Sequence, residues 1–194
     1  MIVQRAADRP GVPWRNGLGV QYEIDADHVS DWSWRLSTAD IDRDVPFSQF
    51  PGVHRVFCVG GGLGVTLWVN GAEVSCGPRS IARFDGDSDV LARIWDGPVQ
   101  AINLMWRDGA RWRDLQMGEA GDVLVGAFAV VATGSASVTI GDVSYELGHL
   151  DAVLHVDDAH DVNVVRGAVA AVVRADEHVD SGAEVRSASL EARN

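Results

Sequence analysis

The chain has 194 residues, a formal net charge of −12 and a sequence pI near 4.7, and its 46% hydrophobic and 23% charged composition is that of an ordinary soluble globular protein. A surface this acidic repels nucleic acid and anionic membranes, so neither is expected as a partner. No apolar run approaches the ~18 residues of a membrane span, and Met1-Ile2-Val3-Gln4-Arg5 does not open a signal peptide, so the expected localisation is cytoplasmic.

Short strand-like runs separated by turns recur along the chain. In the first half they fall at Val20–Asp25, Trp32–Asp40, Val53–Val59, Gly64–Val69, Glu73–Cys76, Ser80–Phe84, Val90–Trp95 and Gln100–Trp106. Asn70-Gly71, Gly77-Pro78, Asp85-Gly86 and Asp96-Gly97-Pro98 supply the turns, and Asn-Gly between alternating runs is a strong hairpin signal. The polar stretch 107–114 reads as a connector. Further runs follow at Val123–Val131, Ala136–Ile140, Val143–Leu147, Ala152–His155, Asp161–Val165 and Ala168–Val173. The Ala/Ser/Glu/Asp-rich stretch 176–194 reads as a flexible tail. Strands at this spacing without amphipathic helices indicate an all-β protein. A larger half (1–107) and a smaller one (108–175) fit two cupin-like β-barrels facing each other, although many all-β folds share that pattern.

Several chemistries lack their residues. His149, His155 and His160 have no His-x-His spacing, so no metal and no cofactor is expected. Gly60-Gly61-Gly62-Leu63-Gly64 opens onto a strand rather than a helix and reads as a β-turn, not a phosphate cradle. Cys58 and Cys76 read as reduced, half-buried thiols. No nucleophile motif is present, so no catalytic residue is assigned.

The first half instead plants polar groups among apolar strands, where an unpartnered polar group costs about 1–3 kcal/mol. Trp14 and Asn16 sit in Pro13-Trp14-Arg15-Asn16-Gly17, readable either as a plug at a sheet end or as a ligand-facing loop. In Trp32-Ser33-Trp34-Arg35-Leu36-Ser37-Thr38-Ala39, alternation puts Trp32, Trp34, Leu36 and Thr38 on one face and Ser33, Arg35, Ser37 and Ala39 on the other. Arg35 thus faces either a lumen, where its planar fork suits a carboxylate, or solvent. Pro46-Phe47-Ser48-Gln49-Phe50-Pro51-Gly52 leads to Arg55, and Asn103-Leu104-Met105 closes the last strand of this half; Asn103 bonds either a neighbouring backbone or a ligand.

Taken together, Pro13 to Gly17, Arg35 to Ser37, Pro46 to Gly52 with Arg55, and Asn103 to Met105 resemble, in order and spacing, the HutD/Ves family. Its members carry Pro-Trp-Lys-Asn-Gly-Gly-Gly, Arg-Leu-Ser, Pro-Phe-Ser-x-Phe-Pro-Gly-x-x-Arg and Asn-Leu-Met. The likeness covers about the first 107 residues; Arg15 replaces the usual Lys and Leu18 interrupts the triple glycine. What it implies is a bicupin and a non-catalytic role in histidine utilisation, in which a small carboxylate metabolite such as N-formyl-glutamate or urocanate is bound. The implied ligand-binding set is Trp14, Asn16, Arg35, Ser37, Phe47, Arg55 and Asn103. Two alternatives stand beside it: a metal-free cupin isomerase or hydrolase using Asp40 or His54 as acid or base, and an interaction module whose acidic surface docks a basic regulator. Exposed sheet edges leave a homodimer open.

Overall fold

A computed structural model describes residues 1–108, 113–174 and 185–186. In chain order the strands are β1 (Ile2–Gln4), β2 (Gly11–Pro13), β3 (Val20–Ala26), β4 (Trp34–Ile41), β5 (Val45–Pro46), β6 (Val53–Gly61), β7 (Val65–Val69), β8 (Ala72–Cys76), β9 (Ile81–Asp85), β10 (Val90–Ile94) and β11 (Val99–Arg107). They continue as β12 (Arg113–Glu119), β13 (Val123–Leu124), β14 (Ala127–Ala132), β15 (Ala136–Ile140), β16 (Val143–Leu147), β17 (Ala152–Leu154), β18 (Val162–Arg166), β19 (Ala168–Arg174) and β20 (Val185–Arg186). The helix assigned among the described residues is a single 3-10 turn at Ala6–Asp8, and no helix there is long and apolar enough to cross a membrane.

Four open sheets stack through three apolar layers. A seven-stranded sheet (β2-β3-β4-β11-β6-β9-β20) packs one face against a four-stranded sheet (β5-β10-β7-β8). Phe57, Val59, Leu67, Val74 and Phe84 fill the gap between them. Its other face meets a five-stranded sheet (β1-β17-β14-β19-β12) across Trp34, Leu36, Val56, Ile102, Leu104, Leu115, Val131 and Val172. The outer four-stranded sheet (β13-β18-β15-β16) closes the far side over Val130, Val138, Ile140 and Val162. The alternation of the central strands follows, because each must bury both faces: one set of side chains goes to each layer. No sheet closes into a barrel among the described residues; the expected barrel walls are open sheets packed face to face, each with free edge strands.

Several sequence expectations shift. The connector 107–114 holds the end of β11 and the start of β12; its residues 109–112 lie outside the described residues. Arg113 and Asp114 stand at the start of a strand that pairs with β19, a polar edge that composition disguised as loop. The run Val123–Val131 is interrupted at Val125-Gly126, where Gly126 has φ 66. β1, β2 and β5 escape notice because two or three residues carry no readable period. β1 pairs with β17 of the second half. The expected tail 176–194 lies outside the described residues except for Val185–Arg186, which pairs with β9.

One local backbone pattern occurs in both halves of the chain. Arg79 N donates to Val59 O at 2.9 Å and Val59 N to Ser80 O at 3.1 Å; Leu150 N donates to Ala132 O at 2.8 Å and Ala132 N to Asp151 O at 2.9 Å. Arg79 and Leu150 both adopt left-handed backbone, φ 63 and 62. Cys58 and Cys76 are free and buried, and burial pushes both thiols up to about 12, which leaves them inert.

Candidate functional site

The polar groups of the first half converge because of strand register. β11 lies between β4 and β6, and Met105 pairs with Arg35 on one side and Arg55 on the other. One row further, Asn103 pairs with Ser37 and Phe57. Directly paired residues share a face, so Arg35, Met105 and Arg55 form one row, and Ser37 and Asn103 stand in the next. Ile102 and Leu104 point the opposite way, into the layer against the five-stranded sheet. The face carrying the row opens on a cavity of about 220 Å³. Trp14, Phe47 and Phe50 form its aromatic walls, and Arg15, Gln21 and Ser48 also line it.

Both guanidiniums are buried. Arg55 is 7% exposed and Arg35 8%. Arg55 lies with its guanidinium carbon 5.1 Å from the Phe47 ring centre and 5.0 Å from that of Phe84. Its Nη1 donates to Ser48 O at 3.3 Å and its Nη2 to Asn103 Oδ1 at 3.5 Å, both long. Arg35 stacks 4.8 Å over Trp32, and its Nη2 reaches Met105 Sδ at 3.5 Å. Nε of each is buried without a partner. Neither forms an ion pair among the described residues, although other arginines do: Arg83 grips Asp114 at 2.7 Å and Arg5 holds Asp151 at 2.7 Å. Burial, helped by the positive charge of Arg35, brings Arg55 down to about 9. Burial likewise lowers Arg35, against a smaller opposing pull from Glu23. The result is two adjacent buried cations, stacked on rings but without a counter-ion among the described residues, in a protein of net charge −12.

Six of the seven residues expected to contact a ligand line this cavity: Trp14, Arg35, Ser37, Phe47, Arg55 and Asn103. Asn16 does not. Its Nδ2 donates to Pro46 O at 3.0 Å, its backbone N to Ser48 Oγ at 3.2 Å, and its Oδ1 accepts from Leu18 N at 3.1 Å. It joins two rim loops. Trp32 also departs from the alternation: β4 starts only at Trp34, so parity resets, and Trp32 lies beneath Arg35 rather than beside Trp34. Gln21, Phe50 and Met105 also line the cavity, although the ligand set expected from the sequence leaves them out; for Met105 the i, i+2 relation to Asn103 is the available signal.

The acid or base candidates of the enzymatic alternative are absent from the cavity lining. Asp40 alternates away from Ala39 and Ile41 and accepts a hydrogen bond from Tyr22 OH at 3.1 Å. His54 alternates away from Arg55 and lies between Asp108 (2.8 Å) and Asp85 (3.4 Å), stacked on Trp106. The second-half histidines are spread out: His155 meets Asp25, His149 meets Gln100 and His160 meets Asp157. Among the described residues no group of three His, Cys, Asp or Glu side chains could hold a metal ion. The glycine run ends β6 and enters β7; a Cβ at Gly64, φ 137, would sit 2.6 Å from the Trp95 ring, so packing accounts for it.

The family model for HutD matches residues 6–173. The chain belongs to the HutD family. Among curated relatives, an uncharacterised 21.2 kDa protein in the hutC 3' region of Pseudomonas putida is 36% identical over 106 residues, 53% of this chain and 56% of that one. Protein Ves of Citrobacter koseri is 37% identical over 98 residues, 48% of this chain and 51% of its own. The matched stretch thus spans about half the length of these curated relatives. HutD from Pseudomonas fluorescens SBW25, in a formate condition, superposes with a TM-score of 0.73 at 30% identity, covering 90% of this HutD-family chain and 98% of that one. A cupin 2 conserved barrel domain protein from Leptotrichia buccalis gives a TM-score of 0.50 at 8% identity, covering 90% and 92%, a likeness of fold alone. The fold is therefore all-β and cupin-like.

Proposed function

We propose that this HutD-family protein binds a small carboxylate metabolite in the cavity that the seven-stranded sheet forms with the loops at 13–15 and 47–50, and that it acts in regulating histidine utilisation rather than as an enzyme. Its two halves are read as a bicupin in which the first half, 1–107, carries the site. The observation that carries the reading is the pair Arg35 and Arg55, buried side by side across Met105 without a carboxylate partner among the described residues. Holding one unpaired charge out of water is costly; holding two together is costlier, so such a pair is retained where an incoming anion neutralises it.

The surroundings fit the same ligand class. Each Nε is free to donate, and a guanidinium can present a second parallel N–H to one carboxylate. Ser37 and Asn103 offer neutral hydrogen bonds one row away, suited to an amide or formyl group. Phe47, Phe50 and Trp14 supply apolar walls, and the ~220 Å³ volume suits a molecule of roughly a dozen heavy atoms. N-formyl-glutamate and urocanate both meet that description, and the relative beside hutC supports a link with histidine breakdown.

Isothermal titration calorimetry with N-formyl-glutamate and with urocanate tests the reading. One of the two binds with a millimolar or tighter Kd, at least tenfold weakened by Arg35→Met. Absence of heat from both at several millimolar, with protein shown to be folded, contradicts it. NMR of the same mixtures over hours separates binding from turnover.

A further inference from the structure

The rim of the cavity is built from two loops of different character. The segment Pro46–Phe50 is fixed to the sheet below: Phe47 N donates to Val90 O at 2.8 Å and Phe50 N to Gly86 O at 2.6 Å. The facing loop, Trp14–Gly19, hangs from the short edge strand β2 and is held mostly to itself. Trp14 N donates to Gly19 O and Gly17 N to Trp14 O, each at 2.9 Å, and Leu18 N donates to Asn16 Oδ1. Trp14 folds back over Gly19, where an added Cβ would lie 2.7 Å from the indole. The loop is therefore a preassembled unit, between the fixed φ of Pro13 and the small Gly19.

Few ties cross from this unit to the rest of the molecule. Asn16 supplies two, its N to Ser48 Oγ and its Nδ2 to Pro46 O. Arg43 Nη2 adds a long contact to Leu18 O at 3.5 Å, and the partly buried Trp14 ring packs on the edge of the apolar layer, edge-on to Phe47 at 5.9 Å, an apolar contact that opening must give up. Asn16 and Leu18 are exposed. Trp14 and Arg15 of this loop and Phe47 and Ser48 of the facing one all line the cavity, and the Asn16 bonds tie the two loops together.

We infer that residues 14–19 are a hinged flap over the cavity and that Asn16 is its latch, setting how fast a ligand passes rather than contacting it. The flap turns about β2 and Gly19 as one piece, because its internal bonds survive while the Asn16 bonds to Pro46 and Ser48 break. Latching keeps the aromatic wall of Trp14 against Phe47 and bulk water away from Arg35 and Arg55. Opening removes that wall and admits the anion.

Met105 reports on the mouth without any ligand: it lines the cavity, whereas Met117 packs in the layer between the two large sheets. The inference rests on the cavity being a ligand site, but methionine oxidation does not, so the two readings fail separately. The protein is exposed to tert-butyl hydroperoxide, which converts thioether to sulfoxide, and each methionine is followed by peptide mass spectrometry. In the Asn16→Ala/Ser48→Ala protein Met105 oxidises about tenfold faster, the effect of losing the two neutral hydrogen bonds between the loops (the third bond removed, Leu18 N to Asn16 Oδ1, lies within the flap), while Met117 keeps its wild-type rate. In the Asn16→Cys/Ser48→Cys protein, oxidised to the disulfide, Met105 reacts several-fold more slowly and regains its rate on reduction. Should the alanine pair speed Met117 as well, the cross-linked protein decides. Met105 rates indifferent to the cross-link, or thiols that refuse to couple in folded protein, overturn the flap.

Discussion

Arg55→Met separates a ligand-binding guanidinium from a structural one by the sign of its effect on stability. Methionine keeps the apolar stem and removes the charge. The fall of Arg55 from 12.5 to about 9 corresponds, at about 1.4 kcal/mol per pH unit, to on the order of 5 kcal/mol for keeping that group charged in the fold. Against this relief stand the stacking on Phe47 and Phe84, about 1–2 kcal/mol each, and the long hydrogen bonds to Ser48 O and Asn103 Oδ1, roughly 1 kcal/mol together. The net for the ligand-free protein lies between about zero and 2 kcal/mol of stabilisation, a Tm equal to the wild type or up to about 6 °C higher. Carboxylate binding is lost at the same time. Breaking a paired buried charge would instead cost about 3–5 kcal/mol.

The pH dependence carries a second sign. Arg55 is a base whose folded pKa lies below its unfolded value, so the cost of its charge is fully present below about pH 9 and is relieved as pH rises beyond it. Cys58 and Cys76, raised to about 12, act in the opposite sense above pH 9, and both proteins share them. The stability difference between Arg55→Met and wild type, measured by urea unfolding, is therefore flat from pH 6 to 8 and shrinks toward pH 10. A Tm drop of more than about 6 °C at pH 7, or a difference that grows above pH 9, refutes the reasoning.

Other outcomes follow from named contacts. Gly19→Ala forces the Trp14 indole off its seat and weakens carboxylate binding about tenfold by calorimetry, with a Tm within a few degrees of wild type. Asp114→Ala strands the Arg83 guanidinium, whose Nη1 already lacks a partner, and lowers stability by about 2–3 kcal/mol in urea unfolding without altering binding. Asp40→Asn and His54→Ala, which change side chains outside the cavity lining, leave the Kd within twofold of wild type. A tenfold loss from either would revive the enzymatic alternative.

How far the chain could be read beforehand depended on whether a signal was periodic. β4 alternates over eight residues, so Arg35 and Ser37 could be put on one face from the sequence. That Arg55 and Asn103 join them depends on β11 lying between β4 and β6, a non-local pairing that alternation does not encode. The bonds of Asn16, which stands outside the cavity lining, were not legible for a related reason: a polar residue in a Pro-Gly-bounded loop looks the same whether it faces a ligand or a carbonyl of the facing loop, and only the position of Pro46 shows the bond it makes. Met105 belongs to the Asn-Leu-Met run, but an apolar residue in an apolar strand gives no sign in the sequence that its register makes it the separator of the two cations. Asp114 was hidden by the polarity of the stretch before it.

A crystal structure of the protein grown with saturating N-formyl-glutamate bears most directly on the buried cation pair. A carboxylate within about 3 Å of Nε of Arg35 or Arg55, with Ser37 or Asn103 on the neutral end of the molecule, is the predicted result. A cavity filled only with water, while calorimetry on the same protein reports binding, would place the ligand elsewhere and contradict the role assigned to the two arginines.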